Sequence, residues 1–222
     1  MIRILIADDH PIVRRGLKQI LADERDFAVL GEAQNGQEVL QLLHQQQWDV
    51  LVLDINMPQM SGLEVLQEVK LRWPDLPVLV MSIHSDEQFG VRALRAGSAG
   101  YLTKESAPEE LVKAIRKVHG GGKYISPSLG EQLVSALQAG GDRPLHELLS
   151  NREFEILCLI SSGKTVSEIA EQLILSVKTV STYRARILEK MNLHSNAELM
   201  HYAIRHGLVL PLPAGESFPQ RD

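Results

Sequence analysis

Four polar signals in this chain each close an apolar run: Asp8-Asp9, Asp54, Ser82 and Lys104. Their types suit phosphoryl or metal chemistry. Carboxylates brought together repel one another unless a cation stands between them. A small set of oxygen donors suits Mg²⁺, which keeps several of its waters. The ion is expected between Asp9 and Asp54, with Asp8 acting through water. Asp54 is then either a ligand only or a nucleophile, since a carboxylate can attack a phosphoryl group and form an acyl phosphate. Such a transfer needs charge neutralised on the equatorial oxygens. Lys104 offers a point charge for that task, and Ser82 a hydroxyl donor.

Taken singly, each residue has a plainer role. Asp8-Asp9 would cap the next helix, Lys104 would be a solvated charge, and Ser82 an ordinary strand end. Their common placement decides otherwise. Val50-Leu51-Val52-Leu53 runs without polar alternation into Asp54, the pattern of a parallel strand covered on both faces. Similar strands are expected over Ile2–Ala7, Phe27–Gly31, Pro77–Ser82 and Ala99–Thr103. Helices are expected after each, the fourth a weak one over Glu87–Ala96 and the fifth opened by a Ser106…Glu109 capping box. Strict alternation predicts a five-stranded parallel sheet with right-handed crossovers and helices on both faces. All strands then end at one edge, where ligands bind in open α/β sheets.

Composition narrows the class. With 222 residues, 44% of them hydrophobic, the chain can build one or two cored domains. No apolar run approaches membrane-spanning length, and the N-terminus lacks a signal-peptide layout. The single cysteine, Cys158, fits a reducing cytoplasm and a buried apolar helix face. The net charge of −5 gives no global sign of a nucleic-acid partner. Gly120-Gly121-Gly122 and the polar, glycine-rich Gln138–Pro144 mark a linker. The expected division is a first domain over 1–120, a linker over 121–147 with a helix near Pro127–Leu137, a helical domain over 148–210 and a mobile tail over 211–222.

Asp8-Asp9, Asp54-Ile55-Asn56-Met57-Pro58 with Gly62, Ser82 and Tyr101-Leu102-Thr103-Lys104 resemble the receiver domain of bacterial response regulators. The resemblance covers residues 1 to about 120. It implies a flavodoxin-like fold and phosphoryl transfer from a histidine kinase to Asp54. It further implies a metal site completed by the backbone carbonyl of Asn56, and an aromatic switch at Tyr101. Glu105 departs from the proline that many receivers carry after the lysine. An aspartyl-phosphate phosphatase is the rival reading. Such enzymes place a second Asp two positions after the nucleophile, where this chain has Asn56, which cannot donate and retake a proton.

The last domain opens on a Ser150…Glu153 capping box, and its second helix on a Thr165…Glu168 box. A third helix, Ser176–Met191, holds four bases (Lys178, Arg184, Arg186, Lys190) against one acid (Glu189). Val180, Tyr183, Ile187 and Met191 share its core face. The opposite face carries Lys178, Ser181, Thr182, Ala185 and Arg186, flanked by Arg184. Two helices, a tight turn and a longer basic helix form the helix-turn-helix layout. Small side chains would let this helix approach base edges, and the bases would bind phosphate. The segment 148–208 resembles the LuxR-type helix-turn-helix through Leu149–Glu153, Gly163, Glu168-Ile169-Ala170, Ser176, Lys178-Thr179-Val180 and Leu188–Met191. Together with the receiver, it resembles the NarL/FixJ family of two-component transcription regulators. The resemblance implies double-stranded DNA as partner, with Thr179 among the contacts, and a homodimer when phosphorylated. It places the dimer contact on the fourth helix, at Glu198, Leu199, Tyr202 and Ala203. The unphosphorylated receiver is expected to hide part of the third helix. A phosphorylation-independent DNA-binding protein, its receiver only a dimerisation scaffold, is the alternative.

Overall fold

In the computed structural model, which describes residues 1–82, 89–138 and 144–209, the apolar runs become one parallel sheet. Its strands are β1 (Ile2–Ala7), β2 (Phe27–Ala33), β3 (Val50–Asp54), β4 (Val78–Ser82) and β5 (Gly100–Thr103). They alternate with α1 (Pro11–Ala22), α2 (Gly36–Gln45), α3 (Gly62–Arg72), α4 (Val91–Arg95) and α5 (Ala107–His119). The strand order β2-β1-β3-β4-β5 makes β3 the central strand, the order of flavodoxin-like sheets.

Every residue of β3 and β4 is buried, because successive side chains point to opposite, equally covered faces. Leu5, Leu51, Leu53, Val78 and Val80 pack with side chains of α2, α3 and α4. Ile4, Ile6, Val50, Val52 and Met81 pack with those of α1 and α5. The described part of the weak fourth helix is only Val91–Arg95; residues 87 and 88 lie outside the described residues. The capping box expected at the start of α5 does not form. Thr103 competes for Ser106 instead: the Ser106 hydroxyl donates to Thr103 O at 3.1 Å, and Thr103 Oγ1 accepts from Ser106 N at 3.3 Å.

The segment after α5 is partly built onto the first domain. Tyr124 N donates to Ala99 O at 2.9 Å beside β5. α6 (Pro127–Gln138) follows, with Leu129 fully buried. The glycine-rich residues 139–143 and the tail from 210 onward, where a mobile segment is expected, lie outside the described residues.

The C-terminal domain is a turn of 3-10 helix (Leu145–Leu148), then α7 (Asn151–Ser161), α8 (Val166–Gln172), α9 (Val177–Met191) and α10 (Asn196–Arg205). Both capping boxes form, at Ser150/Glu153 and Thr165/Glu168. α7 is unusual in being buried on all sides from Arg152 to Ser161. The reason is that the first domain packs against it as well. One apolar cluster runs from Leu5 and Leu53 through Phe89 to Phe154, Leu157, Val180, Leu199 and Val209.

Candidate functional site

β1, β3, β4 and β5 end at one edge of the sheet, and the four polar signals meet there. Asp8 and Asp54 are each 1% exposed. Lys104 Nζ lies 2.7 Å from Asp8 Oδ2 and 2.9 Å from Asp54 Oδ2. One ammonium therefore bridges two buried carboxylates. Asp54 Oδ1 is buried too, and makes no hydrogen bond among the described residues. Burial pushes the Asp54 carboxyl up, to about 6, with Lys104 opposing and Asp8 adding to the rise. For Lys104, burial works against the charged form, but the two carboxylates outweigh it and its pKa is raised.

Gly62 lets the loop after Asp54 close. A Cβ at this position would stand 1.9 Å from the carbonyl oxygen of Asp54, and the Gly62 amide donates to Ile55 O at 2.8 Å. Ser82 is fully buried at the end of β4, and its carbonyl accepts from Lys104 N at 2.7 Å. Tyr101 is fully buried, its ring inside the core on the side of α4.

Asp8, Asp9, His10 and Asp54 each offer a ligand atom, all within 4.8 Å of one another. Asp9 is half-buried, with Oδ1 2.6 Å from His10 Nδ1. Lys104 pairs with two of the three carboxylates, and the buried Asp54 Oδ1 has no donor among the described residues. This oxygen-rich, negatively biased cluster can hold a hard divalent cation. Asp8 shares Lys104 with Asp54, while Asp9 pairs with His10.

The outer face of α9 is open. Lys178, Ser181, Thr182, Ala185 and Arg186 are all exposed, while Val180, Ile187 and Met191 are buried and Tyr183 is half-buried. The first domain does pack on the helical domain, but it does not hide this part of the helix as expected. Two candidate contacts are already engaged: Thr179 N donates to Ser176 Oγ at 3.0 Å as part of the N-cap, and Arg184 Nε donates to Asn196 Oδ1 at 2.6 Å. The dimer expectation on α10 is corrected at two of its four residues. Leu199 and Ala203 are fully buried against the domain's own core, so neither can face a second chain. Glu198 caps its own helix by accepting from His194 N at 2.9 Å. Tyr202 is half-buried, its hydroxyl accepting from His146 N at 3.2 Å.

Sequence reasoning expected the first domain against α9 and missed that it packs on α7 and the turn before it. Arg92 of α4 donates to Leu149 O at 2.9 Å, Asn151 Oδ1 at 3.1 Å and His146 O at 2.8 Å. Its guanidinium also lies 4.3 Å from the ring centroid of Phe154. Phe89 meets Phe154 edge to face at 5.1 Å, and Arg95 pairs with Glu147. Asn56 Nδ2 donates to Glu155 Oε1 at 3.3 Å, and Arg152 Nη1 donates to Glu155 Oε2 at 2.7 Å. The loop after Asp54 thus touches α7 directly. Burial raises the Glu155 carboxyl, with Arg152 opposing. The available signal was Arg152 and Glu155, a base and an acid besides the capping Glu153, at the head of a mostly apolar helix.

Comparison with known proteins covers both halves. Residues 4–116 match the response regulator receiver domain, and residues 147–203 match the bacterial regulatory proteins of the luxR family. The response regulator UvrY of Escherichia coli K12 is 38% identical over 209 residues, covering 94% of this chain and 96% of that protein. The response regulator GacA of Pseudomonas aeruginosa is 40% identical over 210 residues, covering 94% and 98%. RcsB of Salmonella enterica serovar Typhimurium, solved bound to promoter rprA with the phosphomimetic BeF3⁻, is 27% identical. It superposes with a TM-score of 0.60 over 91% of this chain and 98% of that one.

Proposed function

The chain belongs to the bacterial response regulators of the luxR family, and from that premise we propose that Asp54 is its phosphoacceptor and α9 its DNA-reading helix. The protein is a phosphorylatable, DNA-binding regulator of transcription. The donor is a sensor histidine kinase, and the DNA-bound form is a homodimer. The observation that carries the phosphoacceptor is the free Oδ1 of buried Asp54, beside a lysine that neutralises its neighbours.

Asp54 Oδ1 forms the new bond to phosphorus while the bond from phosphorus to the donor's imidazole nitrogen breaks. The electron pair leaves with the imidazole. Lys104 holds its ammonium beside the reacting carboxylate and offsets charge gathering on the phosphoryl oxygens. Ser82 offers a hydroxyl at the same edge. Asp8, Asp9 and the backbone carbonyl of Asn56, with Asp54, are the groups that would hold Mg²⁺; when bound, the ion supplies charge neutralisation. Asn56 in place of a second Asp leaves the acyl phosphate without a built-in acid–base group, which suits a persistent signal.

Phosphorylation at Asp54 has a direct route to the DNA-binding domain through Asn56 and Glu155. On α9, Lys178 and Arg186 bind phosphate, and Ser181, Thr182 and Ala185 approach base edges.

The test compares DNA binding of wild type and Asp54→Asn, with and without acetyl phosphate and Mg²⁺. Tighter binding on adding the donor, seen in wild type alone, is expected. Equal binding by both proteins under all conditions would instead make the receiver a dimerisation scaffold.

A further inference from the structure

α9 presents two parallel rows of side chains at i, i+4 spacing. Lys178, Thr182 and Arg186 form a basic row, and Val177, Ser181 and Ala185 form a short, uncharged one; all six are exposed. Their polar atoms are not equally available. Thr182 Oγ1 donates to Lys178 O at 2.9 Å, and the Ser176 and Thr179 hydroxyls bond each other at 2.7 Å. Arg184 is held by Asn196. Over residues 177–186, Lys178, Ser181 and Arg186 are the exposed polar side chains with uncommitted ends among the described residues.

Val177 stands apart from the rest. It occupies the first position of α9 and is 51% exposed, so packing does not account for a stiff, β-branched residue there. A short, uncharged row lets a helix lie close to base edges. The apolar feature that a base pair presents in the major groove is the 5-methyl group of thymine. We propose that Val177 is a specificity-determining residue that reads a thymine methyl in the major groove, with Ser181 hydrogen-bonding the next base edge along the row. The inference rests on α9 being the DNA-reading helix.

The full-length protein, with acetyl phosphate and Mg²⁺, is used to enrich duplexes from a randomised pool. Each thymine of the enriched duplex is then replaced singly by deoxyuridine, which lacks only the methyl. Wild type is expected to lose about four-fold in affinity at one thymine of each half-site, the effect of one apolar methyl contact. Val177→Ser and Val177→Ala are expected to bind thymine and uracil alike at that position, and to keep the wild-type response at every other thymine. An unchanged thermal midpoint in either variant shows the fold intact. Equal losses for wild type and both variants at every thymine, or no loss for wild type anywhere, would overturn the inference while leaving α9 as the DNA reader. Failure to enrich any duplex would overturn both.

Discussion

Replacing Arg92 by alanine should loosen the two domains without unfolding either. The side chain makes three hydrogen bonds across the interface and lies over the Phe154 ring. Hydrogen bonds from a charged donor contribute about 1.5 kcal/mol each at the low end, and a partly desolvated cation–π contact about 1 kcal/mol. Water recovers part of this once the carbonyls are freed, leaving about 3 kcal/mol, or roughly a 100-fold shift toward the open arrangement. The only thiol in the chain reports on it. Cys158 lies in α7, is 2% exposed, and burial pushes its pKa up to about 12. Its labelling by a disulfide reagent therefore requires opening. Arg92→Ala should raise the labelling rate about 100-fold with an unchanged melting midpoint for the first domain. Arg92 lowers the Cys158 pKa, though by less than burial raises it, so losing the cation would slow the intrinsic chemistry. Faster labelling must then come from opening. An unchanged rate, or acceleration matched by a general loss of stability, would refute the interface as a hinge of this strength.

Three further outcomes are expected. Ile174 holds a φ of 52° with a β-branched, 65% exposed side chain; Ile174→Asn should stabilise the protein by about 1 kcal/mol in urea unfolding, and an unshifted midpoint would show the turn unstrained. Arg3 holds the Asp49 carboxyl down at about 2, chiefly by side-chain hydrogen bonds. A lowered folded pKa contributes stability above the unfolded value near 4, lost as pH falls toward 2. Asp49→Asn should therefore cost about 1 kcal/mol at pH 7, discounted for solvent screening, and close to nothing at pH 2; an equal cost at both values would remove the ion pair as its cause. Lys178→Ala should weaken binding to all duplexes alike and reduce the slope of log affinity against log salt by about one per protomer, whereas a slope left intact would take Lys178 off the phosphate.

The legible parts of the molecule were those with local causes. The strands could be read because a two-faced sheet demands uninterrupted apolar runs, and Asp54 could be located because such a run ends in a carboxylate. Capping boxes at Ser150 and Thr165 depend on residues three apart, and both form. At Ser106 the same pattern misled, since Thr103 supplied nearer partners. Leu199 and Ala203 show a different limit: helical spacing reveals an apolar face but not whether the face meets its own core or another chain. Asn56 and Glu155 stand 99 positions apart, and nothing in local spacing ties them together.

The apolar cluster that joins Leu53 to Phe89, Phe154 and Val209 also bears on inheritance. Receivers and DNA-binding domains separated by a free tether can be exchanged between genes with only the tether to match. Here α7 is packed from both sides, so a recombinant with a foreign receiver would leave Phe154 facing water or a mismatched surface, and Glu155 without Asn56. A transplantable unit would have to carry its counterpart's α4, α6 and β3–α3 loop along with α7. The two domains are thereby constrained to drift as a matched pair, each substitution at the seam selecting for another across it.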